Sequence, residues 1–159
     1  MNDVDRKYPP VIEWEISSLP QGTVGSQAWY AHQYPIIKKF FQKKMDGWSF
    51  GDFLLEQDCK SVVLYAITDF SDLVARDLIH SAPEIELKYF ACNDAERHTH
   101  GYMGLGVYGV DKLAEDYLAG KVDKIVVCNI FHTNEIFNDL LAAGILLRDL
   151  ISICSVVLV

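Results

Sequence analysis

The sequence predicts an α/β fold: an open parallel sheet with helices on both faces, preceded by an aromatic-rich helical N-terminal arm. Three observations predict it. A continuous apolar run of strand length stands at 61–67, as a parallel strand buried on both faces requires, and further strand-length segments follow at 85–92 and 124–129. Segments with helical apolar spacing alternate with them, joined by short connections. Alternating strand and helix builds βαβ units, and right-handed crossovers make these a parallel sheet with helices on both sides. The change in character near residue 58 divides the 159 residues into an arm, 1–58, and a domain, 59–159.

In the arm, Tyr8-Pro9-Pro10 favours extended chain. Residues 11–16 alternate partly, as a short edge strand does, and Pro20, Gly22 and Gly25 mark a loop. Pro35 suits the first turn of a helix running to about residue 44. Ile36, Ile37, Phe40 and Phe41 line one side of that helix; Lys38, Lys39, Lys43 and Lys44 give it a solvated face. Gly47 ends it. Ser49 with Asp52 three residues on resembles a capping box, opening a short helix with Phe53, Leu54 and Leu55. Trp14, Trp29, Tyr30, Tyr34, Phe40, Phe41 and Trp48 give the arm a large apolar area. That area covers an edge of the sheet or mediates self-association.

In the domain, 61–67 is the first strand and 69–80 a helix with Asp69 as N-cap and Leu73, Val74, Leu78 and Ile79 on its apolar face. Pro83 breaks the chain before the second strand, 85–92. A polar loop, 93–101, leads to a short extra strand at 105–108 and a helix at 111–118. The third main strand is 124–129; Thr133 then caps a helix to 143, stopped by Gly144. Residues 151–159 read as the last strand.

The net charge of −8 is a poor basis for binding nucleic acid, which is driven by neutralising phosphates with Lys and Arg. The N-terminus lacks the apolar stretch of a secretory signal. The most apolar stretch, 140–159, carries Arg148 and Asp149 near its middle, which a membrane helix would not tolerate cheaply. A soluble, cytoplasmic protein is expected. Cys59, Cys92, Cys128 and Cys154 lie far apart with no CxxC pair, so buried thiols in a reducing compartment are expected and no metal site. No GxSxG, phosphate-binding GxxxxGK[ST] or Ser-His-Asp spacing occurs.

Residues 60–73, KSVVLYAITDFSDL, resemble the strand–loop–helix start K-x-V-x-I-Y-G-x-G-E-x-G-x-L of small Rossmann-like nucleotide-binding domains in polysaccharide-biosynthesis proteins. Residues 106–113, GVYGVDKL, and 122–128, VDKIVVC, are similar to the usual continuation, so the resemblance covers about 59–153. It implies a nucleotide or nucleotide-sugar ligand, with NAD as the dinucleotide alternative. The implied binding turn is Ala66, Ile67, Thr68, Asp69, Phe70 and Ser71. Such domains occur in sugar-nucleotide-modifying enzymes, beside glycosyltransferases and as separate chains. The 58-residue arm is too small to hold a sugar and supply catalysis, so an accessory binding role in surface-polysaccharide biosynthesis is expected. Two alternatives remain. One is an interaction module that has lost nucleotide binding and forms a homodimer or docks a protein through the arm. The other is a fragment of an NAD-dependent sugar-nucleotide oxidoreductase or epimerase.

The turn departs from the pattern. The three loop glycines fall at Ala66, Thr68 and Ser71. The middle one lets backbone approach a pyrophosphate, and Thr68 places a branched side chain there. Asp69 and Asp72 can satisfy the helix N–H groups internally. At the end of the second strand, Asp94 is the candidate for the ribose hydroxyls, and Asn93 and Asp94 equally suit a turn. Asn129 and His132 follow the third strand, with His132 a candidate acid/base or a backbone-bonded histidine. Arg97-His98-Thr99-His100 offers two histidines and a phosphate-binding Arg, but spacing places no third metal ligand beside them, so it reads as a solvated loop. Tyr108 and Lys112, four apart, fall in the wrong element to be a dehydrogenase pair.

Overall fold

A computed structural model describes residues 27–159, with backbone alone for 27–29. The expected edge strand at 11–16, the loop marked by Pro20, Gly22 and Gly25, and Trp14 lie outside the described residues.

The apolar runs form strands that pair in parallel. Ser61–Tyr65 (β1), Glu86–Ala91 (β2), Val107–Tyr108 (β3), Lys124–Val127 (β4) and Leu150–Ser152 (β5) make one five-stranded sheet in the order β3-β2-β1-β4-β5. This is an α/β Rossmann-like fold. The helices are Gln27–Met45 (α1), Phe50–Leu55 (α2), Asp69–Ser81 (α3), Val110–Leu118 (α4), Thr133–Ala142 (α5) and Ile153–Leu158 (α6). Side chains alternate along β1, which builds two cores. Val62 and Leu64 join Phe90 and Val126 under residues of α1, α2, α3 and α6, such as Phe40, Leu54, Phe70 and Ile153. Val63 and Tyr65 join Tyr89 and Ile125 under Leu113 of α4 and Leu140 of α5. The chain runs outward from β1 to β3, then returns to β1's other side as β4. The order therefore reverses between β1 and β4, a switch point of the kind at whose carboxyl ends open α/β sheets bind ligands.

Three expectations are corrected. The first long helix starts at Gln27, eight residues before Pro35, which lies inside it. An interior proline costs about 3 kcal/mol; burial of Ile36 and Phe40 just after it anchors the helix through the interruption. The last strand stops at Ser152 because it pairs only with Ile125, Val126 and Val127, and the chain then turns into α6. Ile153 and Val157, one helical turn apart, are both fully buried. A short Ile/Val run reads equally as strand or buried helix by periodicity alone. Nor is the lysine stripe wholly solvated. Lys44 pairs with the buried Asp77, which also accepts from Phe50 N at 2.6 Å. Lys43 donates to Val156 O at 3.1 Å and lies over the Trp48 ring. These contacts stitch α1 and α2 to α3 and α6.

Cys59, Cys92 and Cys128 are buried free thiols and Cys154 is half-buried. Among the described residues no helix is long and apolar enough to cross a membrane.

Candidate functional site

Three turns meet at the carboxyl edge of the sheet. The β1–α3 turn begins with Ala66 at φ +81°. A non-glycine residue in that region costs about 1–3 kcal/mol, and Ala66 N donating to Ala91 O at 2.7 Å helps hold it there. The turn thus keeps the backbone shape of a glycine slot without the glycine. Thr68, not Asp69 as expected, caps α3. Its hydroxyl accepts from Ser71 N at 3.2 Å, while Ser71 Oγ accepts from Thr68 N at 2.8 Å, a reciprocal capping box. A hydroxyl makes the better cap here because extended Thr68 aims Oγ1 at the third N–H, whereas Asp69 already has helical backbone. The same hydroxyl donates to Cys128 O at 3.0 Å. Thr68 therefore bridges the ends of β1 and β4 at the switch point. Asp69 and Asp72 add carboxylates to the first turn of α3, and Asp72 pairs with Arg76 at 2.9 Å. Phe70 and Ser71 are fully buried, with the Phe70 ring edge-on to Phe40 at 6.0 Å, and Ile67 is half-buried against the same core.

The β4–α5 turn closes on itself. Asn129 Oδ1 accepts from Phe131 N and His132 N, each at 2.9 Å, and Thr133 Oγ1 donates to Asn129 O at 2.6 Å. Thr133, expected as the cap, is the first helical residue and turns its hydroxyl backward; His132 occupies the cap position, but its side chain makes no capping bond to a helix N–H. Half-exposed His132 has Nδ1 3.2 Å from Glu135 Oε2. Beside it, the Phe131 ring meets His32 of α1 at 5.3 Å. His32 is buried, and neither ring nitrogen has a hydrogen-bond partner among the described residues.

At the end of β2, Asn93 Oδ1 accepts from Tyr65 Oη at 2.5 Å. Burial pushes the Tyr65 phenol up to about 12, helped by negative charge from Cys92, Asp139 and Asp94. The polar loop contains a 3-10 turn, Ala95–His98, that folds His98 back toward β2. Cys92, Asp94 and His98 consequently bring one ligand atom each within 4.8 Å of one another. Burial pushes the Cys92 thiol up to about 11, and its hydrogen bond to Asp94 adds to this. Arg97 Nη1 lies 3.7 Å from Asp94 Oδ2.

The structure thus gathers Ala66, Thr68, Asn93, Asp94, Asn129 and His132 at one edge, while Phe70 and Ser71 serve the core and the cap. Spacing alone missed Tyr65, whose only signal is an aromatic closing an apolar run. It also missed the two partners of His98, which are Cys92 and Asp94 rather than His100. Tyr108 stacks edge-on against Tyr89 at 5.0 Å, and Lys112 pairs with Asp116 at 2.8 Å, so those two are engaged structurally. No family model and no curated protein matches the chain.

Proposed function

We propose that the chain is a non-catalytic, accessory domain that binds a nucleotide or nucleotide-sugar, in keeping with its resemblance to domains of surface-polysaccharide biosynthesis. The observation that carries this reading is the sheet order, which reverses between β1 and β4, the switch point at whose carboxyl ends open α/β sheets bind ligands. The helix starts narrow the ligand. The capping box takes the third N–H of α3, and Asp69 and Asp72 oppose an incoming phosphate there. Thr68 stands where a pyrophosphate would approach, which argues against NAD. The start of α5 lacks a side-chain cap and carries one first-turn acid, Glu135, which is paired with His132, against two at α3, so its N–H groups and positive dipole end are the better place for an anionic group. Asn93 and Asp94 offer polar atoms for a ribose or sugar on the opposite side.

Thermal melts of the full chain with UDP-sugars, nucleoside monophosphates and NAD test this. A ligand at 100 times its Kd stabilises by about 2.7 kcal/mol, which raises Tm by roughly 5–10 °C for a chain of this size. A shift with a nucleotide-sugar and none with NAD is expected. One observation favours a second reading, self-association through the arm. Tyr30, Tyr34, Phe41 and Met45 are all exposed on α1 and recur on one helical face. No shift with any nucleotide, together with a concentration-dependent dimer in sedimentation, overturns the first reading in favour of the second.

A further inference from the structure

We propose that Cys92, Asp94 and His98 form a binding site for a zinc-like divalent cation at the carboxyl end of β2. The site shares Asp94 with the proposed sugar subsite, but it rests on its own convergence of ligands and stands whether or not a nucleotide binds. Its basis is convergence: Sγ of Cys92, a carboxylate oxygen of Asp94 and a ring nitrogen of His98 all lie within 4.8 Å of one another.

The local fold explains why they meet. Cys92 is fixed at the strand end, its N–H donating to Tyr108 O at 3.0 Å. Asp94 opens the 3-10 turn, and its carbonyl accepts from Arg97 N at 3.0 Å. That tight turn carries His98 back beside the residues that precede it, while His100 stays outside the group. Asn93, between two of the ligands, is tethered by Tyr65 at 2.5 Å. Such outer contacts hold ligands in orientation.

The donor set selects the ion. Thiolate and imidazole with one carboxylate suit zinc; magnesium and calcium want oxygen alone. With bonds of about 2.0–2.3 Å, tetrahedral donors stand roughly 3.3–3.8 Å apart, so side-chain rotations of about 1 Å close the present arrangement on an ion. Cys92 is buried, while Asp94 and His98 are half-exposed. Three protein ligands with one open side leave the fourth position to water or a small ligand, the pattern of open rather than structural zinc sites. On binding, the Cys92 S–H bond breaks, its proton passes to solvent and the sulfur lone pair forms the metal bond. His98 contributes a ring lone pair and Asp94 an oxygen lone pair. Nothing is oxidised or reduced. Arg97, largely exposed, can swing clear of Asp94.

The test uses the full chain, stripped with a chelator and titrated with zinc chloride alone by calorimetry, then with cobalt(II) followed by absorption. One ion per chain is expected, with a thiolate-to-cobalt charge-transfer band in the near ultraviolet. Cys92→Ser removes the band. His98→Ala weakens zinc binding by about 100-fold or more, since even outer-shell changes cost about 10–100-fold. His100→Ala and Cys154→Ser bind as the natural chain does. If Cys92→Ser fails to fold by circular dichroism, Asp94→Asn and His98→Ala, at half-exposed positions, carry the decision. No zinc binding overturns the proposal. Binding that survives both Asp94→Asn and His98→Ala overturns it too, as does binding lost in His100→Ala.

Discussion

The β1–α3 and β4–α5 turns occupy equivalent places on either side of the switch point, yet they treat their helix starts in opposite ways. The first is tied outward and closed. Thr68 caps α3 while its hydroxyl reaches Cys128 O on β4, and Tyr65 reaches Asn93 beyond β2. The second turns inward and leaves its helix uncapped: among the described residues Asn129 and Thr133 bond within the turn, and His132 reaches the Glu135 carboxylate but no helix N–H. A Rossmann-like crevice depends on spare N–H groups at a helix start to hold an anion. Here the spare groups lie on the β4 side. The side that carries the glycines in the related pattern has turned its polar groups to structural use.

The contrast is broken most severely through the two phenylalanines. Phe70 of α3 is fully buried, edge-on to Phe40, whereas Phe131 is half-exposed. Phe70→Ala leaves a cavity in the core and is expected to cost about 3–5 kcal/mol. Phe131→Ala should cost far less, because part of its ring already faces water. Urea unfolding of both variants measures the difference. Equal losses would mean that the β4–α5 turn is anchored as firmly as the other.

A subtler comparison removes one hydroxyl from each turn. Thr68→Val keeps the branched shape but leaves Ser71 N and Cys128 O without their partner, an expected loss of about 1–3 kcal/mol. Thr133→Val surrenders one bond to Asn129 O, at a half-exposed position where water can replace it; about 0.5–1 kcal/mol is expected. Denaturation midpoints at constant m separate the two. A Thr133 loss as large as that of Thr68 would remove the claim that the first turn alone ties β1 to β4 at the switch point.

What the chain announces locally and what it does not follow the same division. The apolar runs around Val62, Phe90 and Val126 foretell parallel strands because burial on both faces leaves no other pattern. The branched side chain of Thr68 is visible at a glycine slot. Its second partner is not, since Cys128 lies 60 positions away and is brought near only by β4 pairing beside β1. Helical extension through Pro35 was hidden for a like reason: the packing that sustains it lies on other elements. His98 meets Cys92 and Asp94 only because a 3-10 turn interrupts a stretch whose composition says merely polar loop. Spacing in sequence measures reach along an assumed backbone, and an unassumed turn changes that reach.

The smallest expected effect concerns the outward tie at Tyr65. Its partner across β1 and β4 is Val127, which has no polar group, so the asymmetry begins one residue before the turns themselves. The Tyr65 phenol is pushed up to about 12 in the folded chain, by burial first and then by nearby negative charge. In the unfolded chain it titrates near 10. A folded pKa above the unfolded one means that this contribution is whole below about pH 10 and drains away as pH climbs toward 12. From pH 9 to 10.5 the natural chain should therefore lose about 0.8 kcal/mol that Tyr65→Phe does not lose, the other tyrosines being common to both. Parallel unfolding measurements at the two pH values read the difference. Identical pH dependence would show that Tyr65 ionises freely, and that burial does not hold the phenol in its protonated form.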